Sequence, residues 1–237
     1  MPDPHPLSPP PVLLEACVTT PAEAVRAVRG GADRLELCRD LEAGGLTPDP
    51  RILGETRSAL ERAGLGGTPV HCMVRPVPGP FVADGRKLAT MVTEVRILRE
   101  RGAHGLVLGT LTAQGAVDLE ALGTLVETAG DLPVTFHRAF DHVPDPLEAL
   151  ECLGELGVAR VLTGGGPGTA WDGRDTLAAL VAASNGAPKL PRILGAGGIR
   201  GDHVLALLRH TGLPEIHARA SAYPALARAI RDPSRDD

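Results

Sequence analysis

The chain has 237 residues, 43% hydrophobic and 22% charged, which is the composition of a folded globular protein and excludes a fully disordered one. No apolar run reaches the roughly 18 residues of a membrane helix, so no membrane partner is expected. A net charge of −5 and only 2% aromatic residues exclude the positive face and the stacking platform of a general nucleic-acid binder.

Residues 1–11 are proline-rich and read as an extended tail, 12–231 as one domain, and 232–237 as a polar tail. Between the tails, short apolar or β-branched runs alternate with helical segments. Strand Leu13–Val18 precedes helix Pro21–Arg29, strand Arg34–Cys38 precedes Pro48–Ala63, and strand Val70–Arg75 precedes Arg86–Arg101. Gly105–Gly109 leads to Leu119–Ala129, Val134–Phe140 to Pro146–Leu156, and Arg160–Thr163 to Asp172–Ala183. Ile193–Ala196 leads to Asp202–Arg209, and Glu215–Ser221 is the eighth strand. Thr20 before Pro21 and Thr47 before Pro48 read as helix caps followed by a first-turn proline. Such alternation implies a parallel sheet, and eight units imply an α/β fold built as a single (β/α)8 TIM barrel with a closed eight-stranded sheet. A doubly wound sheet would carry a glycine-rich fingerprint after its first strand, where this chain has Cys17–Pro21 (CVTTP).

Side chains alternate along a strand, and in a barrel the outward set packs on helices and should be apolar. That test leaves Glu15, Cys17, Glu36, Cys38, His71, Met73, Arg75, His137, His217 and Arg219 pointing inward. Burying so many ionisable groups is costly unless they pair. A functional cavity at the strand C-termini is the expectation, and a structural pairing of glutamates with arginines is the alternative.

Glu-x-Cys occurs twice, ending at Cys17 and Cys38, on strands that would lie about 4.8 Å apart. Two neighbouring thiols suit a soft cation such as Cu(I), with Met73 or His71 as further donors; two small core residues are the plainer reading. No Cys-x-x-Cys or His-Glu-x-x-His is present, so spacing gives no sign of zinc. Cys72 and Cys152 read as core, and Trp171 as packing. Without a basic, apolar leader, a cytoplasmic protein with reduced thiols is expected.

A second chemistry is open. His137 is a candidate acid/base with Asp141 as its orienting partner and Arg138 as an anion ligand, unless Arg138 and Asp141 simply pair. The glycines at 164–166 and at Gly197 and Gly198 offer backbone N–H groups to a phosphate, or form tight turns. As an enzyme, the chain would move protons with His137 and Glu15 or Glu36. Arg75, Arg138, Asp141, Gly197, Gly198 and His217 would hold a small anionic or sugar-like substrate. Only Lys87 and Lys189 are lysines, and neither ends a strand, which argues against Schiff-base and pyridoxal chemistry.

Several stretches carry a family resemblance: Leu14–Cys17 (LEAC), Gly30–Cys38 (GGADRLELC), Gly44–Pro48 (GGLTP), Arg75–Pro76, Pro133–Asp141 (PVTFHRAFD), Arg160–Thr163 (RVLT) and Glu215–His217 (EIH). Through them the chain resembles the CutC family, named for copper homeostasis. The resemblance implies a TIM barrel, a cytoplasmic homo-oligomer, and Cu(I) as ligand of Cys17 and Cys38. The chain departs from the family pattern at Ala43, Val77–Phe81, Gly164 and Arg219 and is shorter after Tyr223.

Overall fold

Eight apolar runs pair in chain order into one closed parallel sheet: β1 (Leu13–Val18), β2 (Arg34–Leu37), β3 (Val70–Met73), β4 (Gly105–Leu108), β5 (Val134–Phe136), β6 (Arg160–Thr163), β7 (Arg192–Gly195) and β8 (Glu215–Arg219). β8 closes back onto β1. The structure, a computed structural model, describes residues 12–232; the tail expected at 1–11 and positions 233–237 lie outside the described residues. Helices α1 (Pro21–Arg29), α2 (Pro50–Arg62), α3 (Gly85–Glu100), α4 (Leu119–Ala129), α5 (Pro146–Glu155), α6 (Arg174–Gly186) and α7 (Val204–Thr211) alternate with the strands, and α8 (Ala225–Arg231) follows the last. This is the TIM barrel that the alternation implies.

Local chemistry explains where the boundaries fall. Thr20 caps α1 as expected, its hydroxyl accepting the Glu23 N–H at 3.2 Å. Thr47 does not cap α2. Its hydroxyl accepts the Arg75 N–H at 2.8 Å and donates to Glu94 at 2.7 Å, and the helix starts at Pro50 under Asp49, which takes the Arg51 N–H. The third, fifth and eighth strands end earlier than their sequence pattern suggests. After Phe136 the chain turns into a 3-10 helix, Arg138–His142, that carries the next side chains across the barrel mouth.

The outward residues behave as the fold requires. Leu14, Leu35, Val70, Cys72, Leu106 and Phe136 are fully buried and pack with Leu53, Leu60, Leu98 and Leu122 of the helix layer. Two packing expectations fail. Cys152 is only half-buried, and Trp171 is 42% exposed, with the Arg174 guanidinium 5.1 Å from its ring.

Inside, the lower barrel holds a closed set of charges. Arg34 reaches Glu15 through Nε and donates from Nη2 to Glu215 Oε2 at 2.6 Å. Arg160 Nε adds a 3.2 Å bond to the same Glu215 oxygen, and Glu15 Oε1 lies 2.8 Å from His217 Nδ1. Burial alone would raise the Glu15 pKa, but His217 and Arg34 outweigh it and hold the carboxyl well below the usual range. Arg34 and Glu215 share the inward parity of Glu36 and His217, so both were within reach of the alternation test, though it did not single them out. His71 lies over Gly105, where an added Cβ would sit 2.7 Å from the imidazole ring. Burial, opposed by Glu15 but aided by Arg34 and Arg160, pushes His71 down to about 4.

Two expected outcomes follow from this interior. Arg34→Met leaves Glu15 and Glu215 as buried charges without their shared partner, and should cost about 3–5 kcal/mol in urea unfolding; a loss near zero would mean the pairs are inert. His71 is protonated in the unfolded chain below its ordinary value of 6.5 but in the folded chain only near 4. Its stabilising contribution is therefore intact above that ordinary value and is lost as pH falls toward the folded one, at up to about 1.4 kcal/mol per pH unit. Stability measured at about pH 7 and about pH 5 should fall less in His71→Asn than in the wild type, and an equal fall would refute this assignment.

Candidate functional site

Cys17 lies near the C-terminal end of β1, and Cys38 follows β2 immediately, its N–H donating to the Val18 carbonyl at 3.1 Å. The strand pairing thus continues to Cys38 and brings the two sulfurs to 3.5 Å. Both thiols are buried in a small cluster with Met73, Val107 and Leu41. The Cys17 thiol also donates to Glu36 Oε1 at 3.5 Å. Its hydrogen bond with Cys38, its burial and the nearby Glu36 carboxyl all push its pKa up. Burial raises Glu36 as well. Burial would lower His217, but Glu36 and Glu15 outweigh it and hold the imidazole above its ordinary value.

One grouping was hidden from linear spacing. Donor atoms of Cys17, Glu36 and His217 all lie within 4.8 Å of one another, although they sit on three strands far apart in the chain. The signal that could have found them is register: Cys17 pairs with Glu36 across β1 and β2, and Glu15 with His217 across β1 and β8. Glu15 occupies Nδ1 of His217, the carboxylate–imidazole arrangement that commonly orients a metal-binding histidine.

Beside this cluster a cavity of about 700 Å³ extends to the barrel mouth, lined by Cys17, Glu36, Met73, Arg75, Phe81, His137, Arg138, Gly197, Gly198 and His217 among others. Arg75 donates to the Ala43 carbonyl at 2.8 Å and the Gly79 carbonyl at 3.1 Å, so its guanidinium ties two mouth loops together. It lies 4.9 Å from the Phe81 ring centroid, and that ring is 5.0 Å from the His137 ring. The Val77–Phe81 loop therefore supplies part of the cavity wall through Phe81. His137 Nδ1 accepts the Ala139 N–H at 3.3 Å, and burial, reinforced by Arg75 and Lys87, pushes the ring down to about 3. Gly197 and Gly198 have φ of 105° and 69°, backbone that favours glycine.

The remaining sequence-derived candidates are placed differently from expectation. Asp141 does not orient His137. Its Oδ1 accepts from the Thr163 hydroxyl at 2.6 Å and the Gly164 N–H at 2.9 Å, and its Oδ2 accepts from Arg138 Nε at 2.6 Å. Asp141 thus anchors the loop after β6, which pulls it away from the histidine four residues earlier, and the plainer pairing with Arg138 is the observed one. Glu15 lies beneath the cavity, fully buried in the ion network, so it is not placed to exchange protons with a ligand there. Arg219 sits at the rim, more than half exposed, 3.3 Å from Glu42.

Comparison with known proteins fits this architecture. The sequence model of the CutC family matches residues 12–222. A CutC protein of Caulobacter vibrioides is 44% identical over 206 residues, covering 87% of this chain and 80% of the relative. The human copper homeostasis protein cutC homolog is 38% identical over 208 residues, covering 88% of this chain and 73% of that protein. The crystal structure of a CutC protein from Streptococcus agalactiae superposes with a TM-score of 0.80 at 29% identity, covering 87% of this chain and 97% of that one. A deoxyribose phosphate aldolase of Aeropyrum pernix, at 16% identity and a TM-score of 0.65, shares the barrel fold alone. With the family pattern matched from the first strand to the turn after the last, the chain belongs to the CutC family.

Proposed function

We propose that this chain acts in copper homeostasis by binding Cu(I) through Cys17 and Cys38, with Met73 as a further sulfur donor. The observation that carries the reading is the 3.5 Å approach of two buried thiols beside a thioether, with Val107 and Leu41 packed against them. Soft sulfur donors select Cu(I), and an apolar wall limits contact with water. Thiolates are the binding form, so the cation displaces protons that burial otherwise keeps on the sulfurs. The family's copper-homeostasis name is consistent with this donor set. From the family resemblance we also propose a cytoplasmic homo-oligomer, and sedimentation of the full chain tests the assembly.

A second metal reading draws on the harder donors. Cys17, Glu36 and His217, with Glu15 behind the imidazole, form a mixed set that suits Zn(II). No helix among the described residues is long and apolar enough to cross a membrane, so either cation is taken to be met in water.

An anaerobic competition titration against a strong Cu(I) chelator separates the two. The wild type should show one tight Cu(I) site, and Cys17→Ser/Cys38→Ser should lose it while keeping its circular dichroism. Unchanged Cu(I) binding in that double variant would overturn the thiol-pair site. His217→Ala should leave Cu(I) binding nearly intact; if it instead abolishes a tight Zn(II) site in a protein that holds Cu(I) weakly, the mixed-donor reading replaces the first.

A further inference from the structure

The cavity is far larger than a single cation requires. It measures about 700 Å³, whereas one water-sized particle takes up about 30 Å³ in the liquid. That size lies in the range of small-molecule sites. Its walls also have a definite chemistry. Arg75, Arg138, Arg200 and Arg219 all line it, and Glu36 is the one carboxylate among its described lining residues.

The arginines are not equally committed. Arg75 gives Nη1 and Nη2 to loop carbonyls, which leaves Nε without a partner. Arg138 uses Nε on Asp141 and Nη2 on the Gly168 carbonyl, while its Nη1 makes no hydrogen bond among the described residues and its side chain is 41% exposed. Among the described residues, the Arg219 side chain has only a 3.3 Å contact, to exposed Glu42. Next to Arg138, the turn after β7 offers backbone: a Cβ on Gly197 would lie 3.6 Å from Arg138 Nη2. Among the described residues, the N–H groups of Gly197, Gly198, Ile199 and Arg200 donate to no protein acceptor. Both glycines have positive φ, and Gly197 packs close to the loop after β6, where an added Cβ would lie 3.2 Å from the Ala170 nitrogen.

The opposite wall supplies an independent sign. Glu36 Oε2 is buried, belongs to a cavity-lining residue and has no hydrogen-bond partner. A buried polar atom left unpaired is costly, and a ligand hydroxyl, which both donates and accepts, would satisfy it in either protonation state.

We propose that the cavity binds a small phosphorylated molecule bearing a hydroxyl group. Its phosphate sits on the Gly197–Arg200 backbone with Arg138 and Arg219 as the neutralising cations, and its hydroxyl on Glu36 Oε2. The phosphate contacts use the turn after β7 and not the thiol pair, although Glu36 also accepts the Cys17 thiol through Oε1; binding does not require Cu(I).

The test is calorimetric titration of the copper-free full chain with glycerol 3-phosphate, inorganic phosphate and glycerol. Glycerol 3-phosphate should bind about tenfold or more tightly than phosphate, and glycerol should not bind measurably. Arg219→Gln, a rim change without structural risk, and Arg138→Gln should each weaken glycerol 3-phosphate by about tenfold. Glu36→Leu should bring the two phosphate compounds to similar affinity. Because binding is read in the copper-free chain, a failed copper titration leaves this proposal standing. No heat from either phosphate compound at about 10 mM, or undiminished binding in an Arg138→Gln/Arg219→Gln variant, overturns the proposal. Equal affinity for phosphate and glycerol 3-phosphate in the wild type overturns the hydroxyl contact and assigns the cavity to the free anion.

Discussion

The barrel depends on one guanidinium. Closing eight strands requires the last to find the first, and the buried charges inside the barrel reinforce the register that the alternating apolar pattern sets. Arg34, on β2, contacts Glu15 on β1 and Glu215 on β8, so it spans the closure itself. Arg160 ties the same Glu215 to the far side of the barrel. Buried ion pairs contribute little net stability against well-packed apolar residues. They do penalise error: a one-residue slip of β8 would turn Glu215 and His217 out among the helix side chains. The network therefore acts chiefly on register. Because Glu15 also takes Nδ1 of His217, the same network aims that imidazole toward Cys17 and Glu36.

Two zones follow along the barrel axis. The lower zone is dominated by buried ion pairs, although Arg160 Nη1 and His71 Nδ1 have no hydrogen-bond partner there. The upper zone holds polar atoms with no partner, notably Glu36 Oε2 and Arg75 Nε, beside an open volume and a sulfur pair. Groups that folding leaves unsatisfied at a cavity wall point to a ligand more directly than groups that are merely charged. The metal and small-molecule proposals meet at Glu36, which accepts the Cys17 thiol, while the phosphate contacts draw on the turn after β7, so the copper and phosphate titrations test them separately.

The fold was legible in the sequence because short apolar strand runs recur eight times with helical segments between them, and each signal is local. Strand ends were less legible, since nothing near Phe136 in sequence shows that the chain must turn to place Asp141 under Thr163. The thiol pair could be anticipated, because neighbouring parallel strands put equivalent inward positions side by side. The arrangement of Glu36 and His217 around Cys17 could not be read from spacing, because it joins β1 to β2 and to β8 and exists only once the barrel closes. Trp171 shows the opposite limit: a large apolar residue invites a core assignment, yet its place after β6 leaves it partly in water beside Arg174.

The glycines of β4 carry a consequence for how such barrels diverge. Gly105 lies against the His71 ring, and Gly109, just past the strand, would place a Cβ 2.8 Å from the His137 ring. Each imidazole occupies space that a side chain on the neighbouring strand would otherwise claim. Positions 71 and 105, and positions 137 and 109, are therefore exchangeable only as pairs: a lineage that acquires a side chain at either glycine must shrink or redirect the histidine opposite. Across relatives, bulk at these positions should trade between partners while the sum within each pair stays nearly constant.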